Sequence, residues 1–154
     1  MANWSASNWT NGDEYACSGT PFVTGSHGTA SLRATPMTRI VFPRVTRWIQ
    51  VWNHNTTVAH TMKIAFTENG LSGATDPIND DGAARGHYIV LQGATEGMST
   101  TGRLELRCTE LWLAGDNSNK VNFTVLAGLT NIPTRNMFKM TGSIGGESQI
   151  LGVG

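Results

Sequence analysis

The feature that most limits the fold of this chain is a set of short segments in which apolar and polar residues alternate one by one. The clearest segment is 103–108, where two leucines and a cysteine alternate with arginine and glutamate, and similar alternation occurs over 61–67 and 121–125. Successive side chains of a β-strand point to opposite faces, so a period of two is typical of strands with one buried face. No segment has the pattern of a long helix.

Turn-forming residues, mostly glycine, asparagine, aspartate and proline, separate these segments. We count seven or eight short strands in about ninety residues, a spacing that predicts a β-sandwich or a barrel. The length of 154 residues corresponds to about one domain. We therefore expect an all-β fold, a single eight-stranded jelly-roll sandwich with extended N- and C-terminal arms.

The domain boundaries follow from where the alternation begins and ends. We assign 39–132 to the jelly-roll domain, 1–38 to an N-terminal arm and 133–154 to a C-terminal arm. Both arms are rich in small residues and lack apolar periodicity, so burial within the monomer cannot offset the entropy lost when they order. We expect the arms to order by contacting neighbouring subunits. The polar loop 71–86 is long enough to suggest a surface role.

The alternation also predicts which side chains face the core. The side chains expected to be buried are Ile64, Phe66, Leu104, Leu106, Phe123 and Val125. Those expected to face outward, or into subunit contacts, are Glu105, Arg107, Asn122 and Thr124. A slip of one residue in register would invert the whole assignment.

Charge and hydropathy exclude several classes of partner. The 11 basic and 11 acidic side chains give a formal net charge of +0 at pH 7. A neutral chain has little electrostatic attraction to nucleic acid or anionic lipid, while weak repulsion between copies favours self-association. No stretch approaches the ~18 apolar residues of a membrane span. The first twenty residues lack the apolar core of a secretory signal, so none is expected.

The residues that could carry chemistry are not arranged for it. Two metal ligands on one strand normally lie two residues apart, and no such pair occurs among the four histidines, His27, His54, His60 and His87. The acidic loop 76–81 lacks the residue order of a calcium loop, and no nucleophile elbow or phosphate loop is present. We expect no metal, no cofactor and no catalytic residue, which disfavours a cupin-like metalloenzyme or any other enzyme.

The two cysteines, Cys17 and Cys108, are far apart in the chain and belong to no metal-binding motif. We expect free thiols in a reducing compartment, with one long-range disulfide as the alternative.

The five tryptophans fall into two groups. Three lie in predicted strands and are expected to fill the core: Trp48, Trp52 and Trp112. Trp4 and Trp9 lie in the polar N-terminal arm, where they are either incidental to a disordered tail or anchors that dock into a neighbouring subunit. Arg44 and Arg47 could line an interface. Trp4, Trp9, Arg44 and Arg47 are therefore the candidate subunit contacts.

Four segments carry a resemblance to a known family. They are 40–49 (IVFPRVTRWI), 66–70 (FTENG), 103–111 (RLELRCTEL) and 125–132 (VLAGLTNI). In strand texture and order they resemble the single jelly-roll penton proteins of nucleocytoplasmic large DNA viruses, of which chlorella viruses are an example. The resemblance spans roughly 39–132, and the loop 71–86 is longer than the family pattern.

The resemblance implies a structural capsid protein of the virion, assembled in the host cell cytoplasm. Five copies would form a homopentamer at each icosahedral fivefold vertex, with the arms touching neighbouring major capsid protein capsomers and minor capsid proteins. It implies no cofactor and no catalysis. The alternative is a carbohydrate-binding β-sandwich, such as a lectin or fibre-head module, which the aromatic strands and the Asn/Asp-rich loops favour. Against it, the strand tryptophans alternate with core residues and no secretion signal is expected.

Overall fold

Eight strands form in the part of the chain that the computed structural model describes, which comprises residues 20–26, 37–72, 87–115 and 121–137. The strands are β1 (Pro21–Ser26), β2 (Thr38–Val41), β3 (Arg44–Asn53), β4 (Met62–Ala65), β5 (Ile89–Leu91), β6 (Ser99–Thr100), β7 (Glu110–Gly115) and β8 (Phe123–Pro133). A short helix, α1 (Glu68–Ser72), follows β4, and a 3₁₀ turn (Thr134–Asn136) follows β8.

The strands make two four-stranded sheets in which every pairing is antiparallel. The first sheet has the order β1-β8-β3-β6 and the second has the order β2-β7-β4-β5. The first strand therefore pairs with the last, the second with the seventh, the third with the sixth and the fourth with the fifth. Two further pairings, β3 with β8 and β4 with β7, complete the sheets.

One apolar cluster joins the two sheets. Its buried members come largely from the inward faces of both and include Ile49, Val51, Phe123, Val125 and Ala127 from the first sheet, and Ile40, Met62, Ile64, Leu111 and Leu113 from the second. Burial of this apolar surface is the main favourable term that holds the sheets together.

The faces predicted from the alternation agree with this core. Ile64, Phe123 and Val125 are buried, and Phe66, Leu104 and Leu106 are partly buried and pack against the cluster. Of the residues predicted to face outward, two are exposed, Glu105 and Arg107, and two are half-buried, Asn122 and Thr124.

The segment 103–108 differs from the prediction in one respect, because it forms no regular strand. It contacts β3 of the first sheet through an isolated bridge between Leu104 and Ile49 and through hydrogen bonds of Leu106 and Cys108 with Thr46, after which the chain leads into β7 of the second sheet. The alternation assigned the faces correctly, since it reports burial rather than hydrogen-bonded pairing.

The residues Glu68-Asn69-Gly70, expected to be a hairpin-type turn, instead begin helix α1. The buried Thr67 hydroxyl accepts the backbone N–H of Gly70 at 3.0 Å, which is the contact of a helix N-cap. The helix brings Leu71 against the outer side of the second sheet. There it forms a small second cluster with the buried Ala65 and Ala114 and the partly buried Met37, Tyr88 and Trp112.

Strand β1 lies inside the segment that the sequence analysis assigned to the N-terminal arm. Pro21–Ser26 pairs with β8, and the ring of Phe22 packs edge-on against Phe42 with their centroids 5.2 Å apart. A proline and a glycine within six residues hid this strand from the pattern analysis. Residues 1–19 and 27–36 of the N-terminal arm and 138–154 of the C-terminal arm lie outside the described residues, and so do Trp4 and Trp9.

Two deletions test the structural role of β1. Removing residues 1–19 preserves β1, so we expect a folded chain with an unfolding free energy close to that of the full chain. Removing residues 1–26 withdraws Phe22 from the core and leaves β8 with an open edge. We expect this second deletion to cost at least about 2 kcal/mol and to promote aggregation. Urea unfolding of both variants checks this, and equal stability would contradict the role of β1.

Candidate functional site

A buried polar side chain, that of Asn53, lies at the C-terminal end of strand β3. Asn53 is fully buried there, and its Nδ2 donates to the carbonyl oxygens of His60 at 2.9 Å and Leu91 at 3.1 Å. Its Oδ1 accepts the backbone N–H of Asn55 at 3.0 Å. Because Leu91 belongs to β5, this one amide links the first sheet, the connecting loop and the second sheet.

Thr46 has the same role nearer the other end of β3. It is fully buried and lies between two register shifts in the pairing of β3 with β8. Its Oγ1 lies 3.0 Å from the carbonyl oxygen of Leu106 and accepts the backbone N–H of Cys108 at 2.9 Å. The Thr46 hydroxyl thus hydrogen-bonds backbone groups of Leu106 and Cys108 that a regular strand pairing would satisfy, just before the chain enters β7.

Cys108 is a buried free thiol whose Sγ lies 3.3 Å from the Thr46 hydroxyl. Burial raises the pKa of this thiol from 9.0 to about 11, against the opposing effect of the Thr46 hydrogen bond and with a further rise from the Glu110 carboxylate. The thiol is therefore protonated at neutral pH and has little nucleophilic character. Cys17 lies outside the described residues.

Three of the four histidines are described, and each has a different neighbour. His54 Nε2 lies 2.8 Å from the hydroxyl of Thr124, and His60 Nδ1 lies 3.1 Å from Nδ2 of Asn55. The backbone N–H of His87 donates to the carbonyl of Gly70 at 3.0 Å. Within the described ranges no three His, Cys, Asp or Glu side chains form a metal-binding group, and His27 lies outside them.

The candidate contact residues Arg44 and Arg47 both lie on β3. Arg44 is exposed and its guanidinium donates to the carbonyl oxygen of Asn131 on β8 at 3.2 Å, whereas Arg47 is half-buried. Their assignment as subunit contacts stays a prediction, as does that of Trp4 and Trp9.

The strand tryptophans, expected to fill the core, instead lie on outer faces. Trp48 and Trp52 are half-buried and alternate with Ile49 and Val51, which face the apolar cluster. Trp112 is half-buried on the outer side of the second sheet. The expectation was wrong because it used residue type, while the alternation in β3 already assigned the tryptophans and the aliphatic residues to opposite faces.

Trp48 packs across the neighbouring strand. Its indole lies on Gly128 of β8, where a side chain would overlap the ring, and the Arg103 guanidinium carbon lies 5.0 Å from the ring centroid in a cation–π contact. Arg103 in turn pairs with Glu105 at 2.6 Å. Trp48 thus packs β3 against β8. Trp52 lies on the same outer face of the first sheet.

The outer face of the second sheet has paired charges. Nε and Nη2 of Arg39 donate to one carboxylate oxygen of Glu110 at 2.9 and 2.5 Å, and Trp112 Nε1 donates to the other at 3.0 Å. The Arg39 guanidinium also lies 5.6 Å from the Trp112 ring, and Lys63 Nζ lies 4.9 Å from the ring of Tyr88. The charges of Arg39 and Glu110 are therefore paired within the monomer, and that of Lys63 lies against an aromatic ring.

Exposed large apolar side chains lie on strands at the edges of the sheets and on the loops between them. They are Val23, Val41, Val58, Ile89, Val90 and Met98. Their exposure could not be predicted from the sequence, because it depends on which strands lie at the edges of the folded sheets. In the described part of the chain, no helix has the length and apolar character needed to cross a membrane.

The chain matches no protein-family model, no curated protein and no solved structure.

The amide of Asn53 should be more important for stability than its neighbours. Asn53→Ala would leave the buried carbonyl oxygens of His60 and Leu91 without this donor, and we expect it to lower the free energy of unfolding by about 2–4 kcal/mol. Gln50→Ala is the matched control, since Gln50 lies on the same strand and donates to Thr100 at an exposed site. It should cost no more than about 0.5 kcal/mol. Urea unfolding measures both, and equal losses would contradict the role of Asn53.

The thiol of Cys108 predicts a pH dependence of stability. Its pKa is about 11 in the folded chain and 9.0 as the ordinary value, so the unfolded chain loses the proton first as pH rises. The resulting stabilisation is complete below about pH 9 and is lost between about pH 9 and 11, by about 2–3 kcal/mol. Under reducing conditions, the stability difference between wild type and Cys108→Ala should shrink across that window. A constant difference would mean that the thiol titrates alike in both states.

Proposed function

We propose that the two sheets form an eight-stranded jelly roll. The pairing of strands supports this most directly, since first with last, second with seventh, third with sixth and fourth with fifth is the order made when one long antiparallel hairpin wraps around a core. The two further pairings close the hairpin into two sheets of a double Greek key.

The proposed function is that of a structural capsid protein, a penton that forms the pentameric capsomer at icosahedral fivefold vertices of a virion. Jelly rolls serve in viral capsids, lectins and cupins, so the fold narrows the classes without deciding between them. The strand order is the observation that carries the proposal. The resemblance to penton proteins also supports the proposal. Three of the segments that carry it, 40–49, 103–111 and 125–132, are neighbours in the structure, since the last two both contact β3.

The chemistry of the described residues suits assembly better than catalysis. The described thiol is buried and protonated, and His54 and His60 lie within hydrogen-bonding distance of the neutral side chains of Thr124 and Asn55. A ring of identical subunits needs a heterologous interface whose rotation closes, and a net charge of +0 limits repulsion between the copies. The proposed partners are the chain itself, as a homopentamer, and neighbouring major capsid protein capsomers and minor capsid proteins.

A second candidate is carbohydrate binding on the outer face of the first sheet. The orientation of Trp52 favours it, because the alternation that counted against this function in fact directs the tryptophans outward. Gln50 and Thr100 supply hydrogen-bonding groups beside Trp52 on that face. Tryptophan combines a flat apolar ring with a polar N–H, which suits a ligand with both apolar and polar faces.

Oligomer mass separates the two candidates. Native mass spectrometry of the purified chain should give a species of five times 16.5 kDa, and a virion density map should locate the chain at the fivefold vertices. A monomer that binds glycans, and loses that binding in Trp52→Ala, would contradict the penton proposal and support the second candidate.

A further inference from the structure

Two of the four edge strands, β1 and β6, carry features that discourage pairing with another chain. Strand β1 begins with Pro21 and contains Gly25, and β6 has only two residues. The one charge on strand β2, that of Arg39, is paired with Glu110 of β7 within the monomer, so this edge is less protected. Proline, charge and short length are the devices by which natural sheets protect their edges.

Strand β5 has no charge, no proline and no glycine. Its sequence is Ile89-Val90-Leu91, and the first two side chains are 40% and 50% exposed. Among the described residues its strand partner is β4, with Lys63 opposite Val90, so its other edge faces away from the sheet. An apolar edge of this kind is a template for pairing with a further strand.

We infer that β5 of one copy pairs with β2 of the next copy. This inference rests on the proposed pentamer, because a closed ring needs two different patches on each subunit. Strands β5 and β2 are the two edges of one sheet, and the four strands alternate in direction. A second copy related by rotation about an axis parallel to the strands keeps their direction and therefore presents its β2 antiparallel to β5, so that the sheet continues across the junction.

The side chains at the two edges fit this arrangement. Val41 of β2 is 57% exposed and, like Val90, lies on the outer face of the sheet. In the register that places Val90 opposite Val41, the row across the junction is Lys63, Val90, Val41, Glu110, an apolar pair between opposite charges. A twofold contact of β5 with β5 would instead flank its valines with two lysines.

The edge contact is one part of a larger interface. Strands of three and four residues bury much less than the ~1,200 Å² of a stable protein–protein interface. The paired edges therefore fix the orientation of neighbouring copies, and the surfaces beside them supply the remaining area.

A charge exchange tests the pairing. Val90→Lys and Val41→Glu should each lower the assembled fraction in native mass spectrometry by at least about tenfold, because each replaces the apolar pair at the junction with a charge on an edge strand. The double variant, with both substitutions in every chain, places the introduced carboxylate of one copy against the introduced ammonium of the next at every junction, and should restore the pentamer. Only a β5-to-β2 contact predicts this rescue, since a β5-to-β5 contact would still oppose two lysines.

Val23→Lys is the matched control, because Val23 is 64% exposed on β1 of the other sheet and should leave the pentamer intact. Circular dichroism reports whether each variant is folded, and Val90→Thr and Val41→Thr replace any variant that is not, with partial loss of the pentamer expected. Pentamers that survive both single substitutions, or are not restored in the double variant, would overturn the pairing and leave the proposed function standing. A monomeric wild-type chain would overturn the proposed function itself.

Discussion

Strand β3 belongs to the first sheet, yet buried polar side chains tie it to the second sheet at two points. Asn53 reaches the carbonyl of Leu91 on β5, and the hydroxyl of Thr46 bonds the backbone of Cys108 just before β7. Between these two points the inward side chains Ile49 and Val51 are wholly apolar. Apolar packing alone tolerates sliding of one sheet on the other, whereas buried donors and acceptors are satisfied in one arrangement only. The rest of the fold depends on these two attachments.

This arrangement directs function to the surface of the protein. The inward faces of both sheets contribute to one continuous apolar cluster, and each described buried side-chain nitrogen or oxygen atom has a hydrogen-bond partner. Within the two sheets as the structure describes them, the side chains left for recognition are those on the outer faces and at the edges. On the outer face of the second sheet, Arg39 and Trp112 already donate hydrogen bonds to the carboxylate of Glu110. The described surfaces still open to a partner are the edges of the second sheet and the outer face of the first sheet, which carries Trp48 and Trp52.

The alternation of residues predicted the faces of the strands and the all-β class, because burial of one face is a local property of a strand. Ile64 and Val125 are buried as that rule requires. The rule did not find β1, where Pro21 and Gly25 interrupt the pattern and pairing with β8 provides the stabilisation. It did not find α1, which depends on the Thr67 cap and on Leu71 reaching a distant surface. Nor could it identify Val90 as an edge residue, since the edges of a sheet follow from the order of all its strands.

The two candidate functions use different surfaces, and this separates them physically. Assembly through β5 and β2 engages the edges of the second sheet, while carbohydrate binding would engage the outer face of the first sheet around Trp52. A ring closed through the second sheet does not by itself cover that face. The outward Trp52 therefore does not weigh against assembly, and an assembled ring does not weigh against ligand binding. What distinguishes the functions is whether the unprotected edge at Ile89 and Val90 is covered in solution, because an apolar edge strand left open in a monomer would favour uncontrolled association. A closed ring covers that edge in every copy, which is the physical reason to prefer the assembling protein.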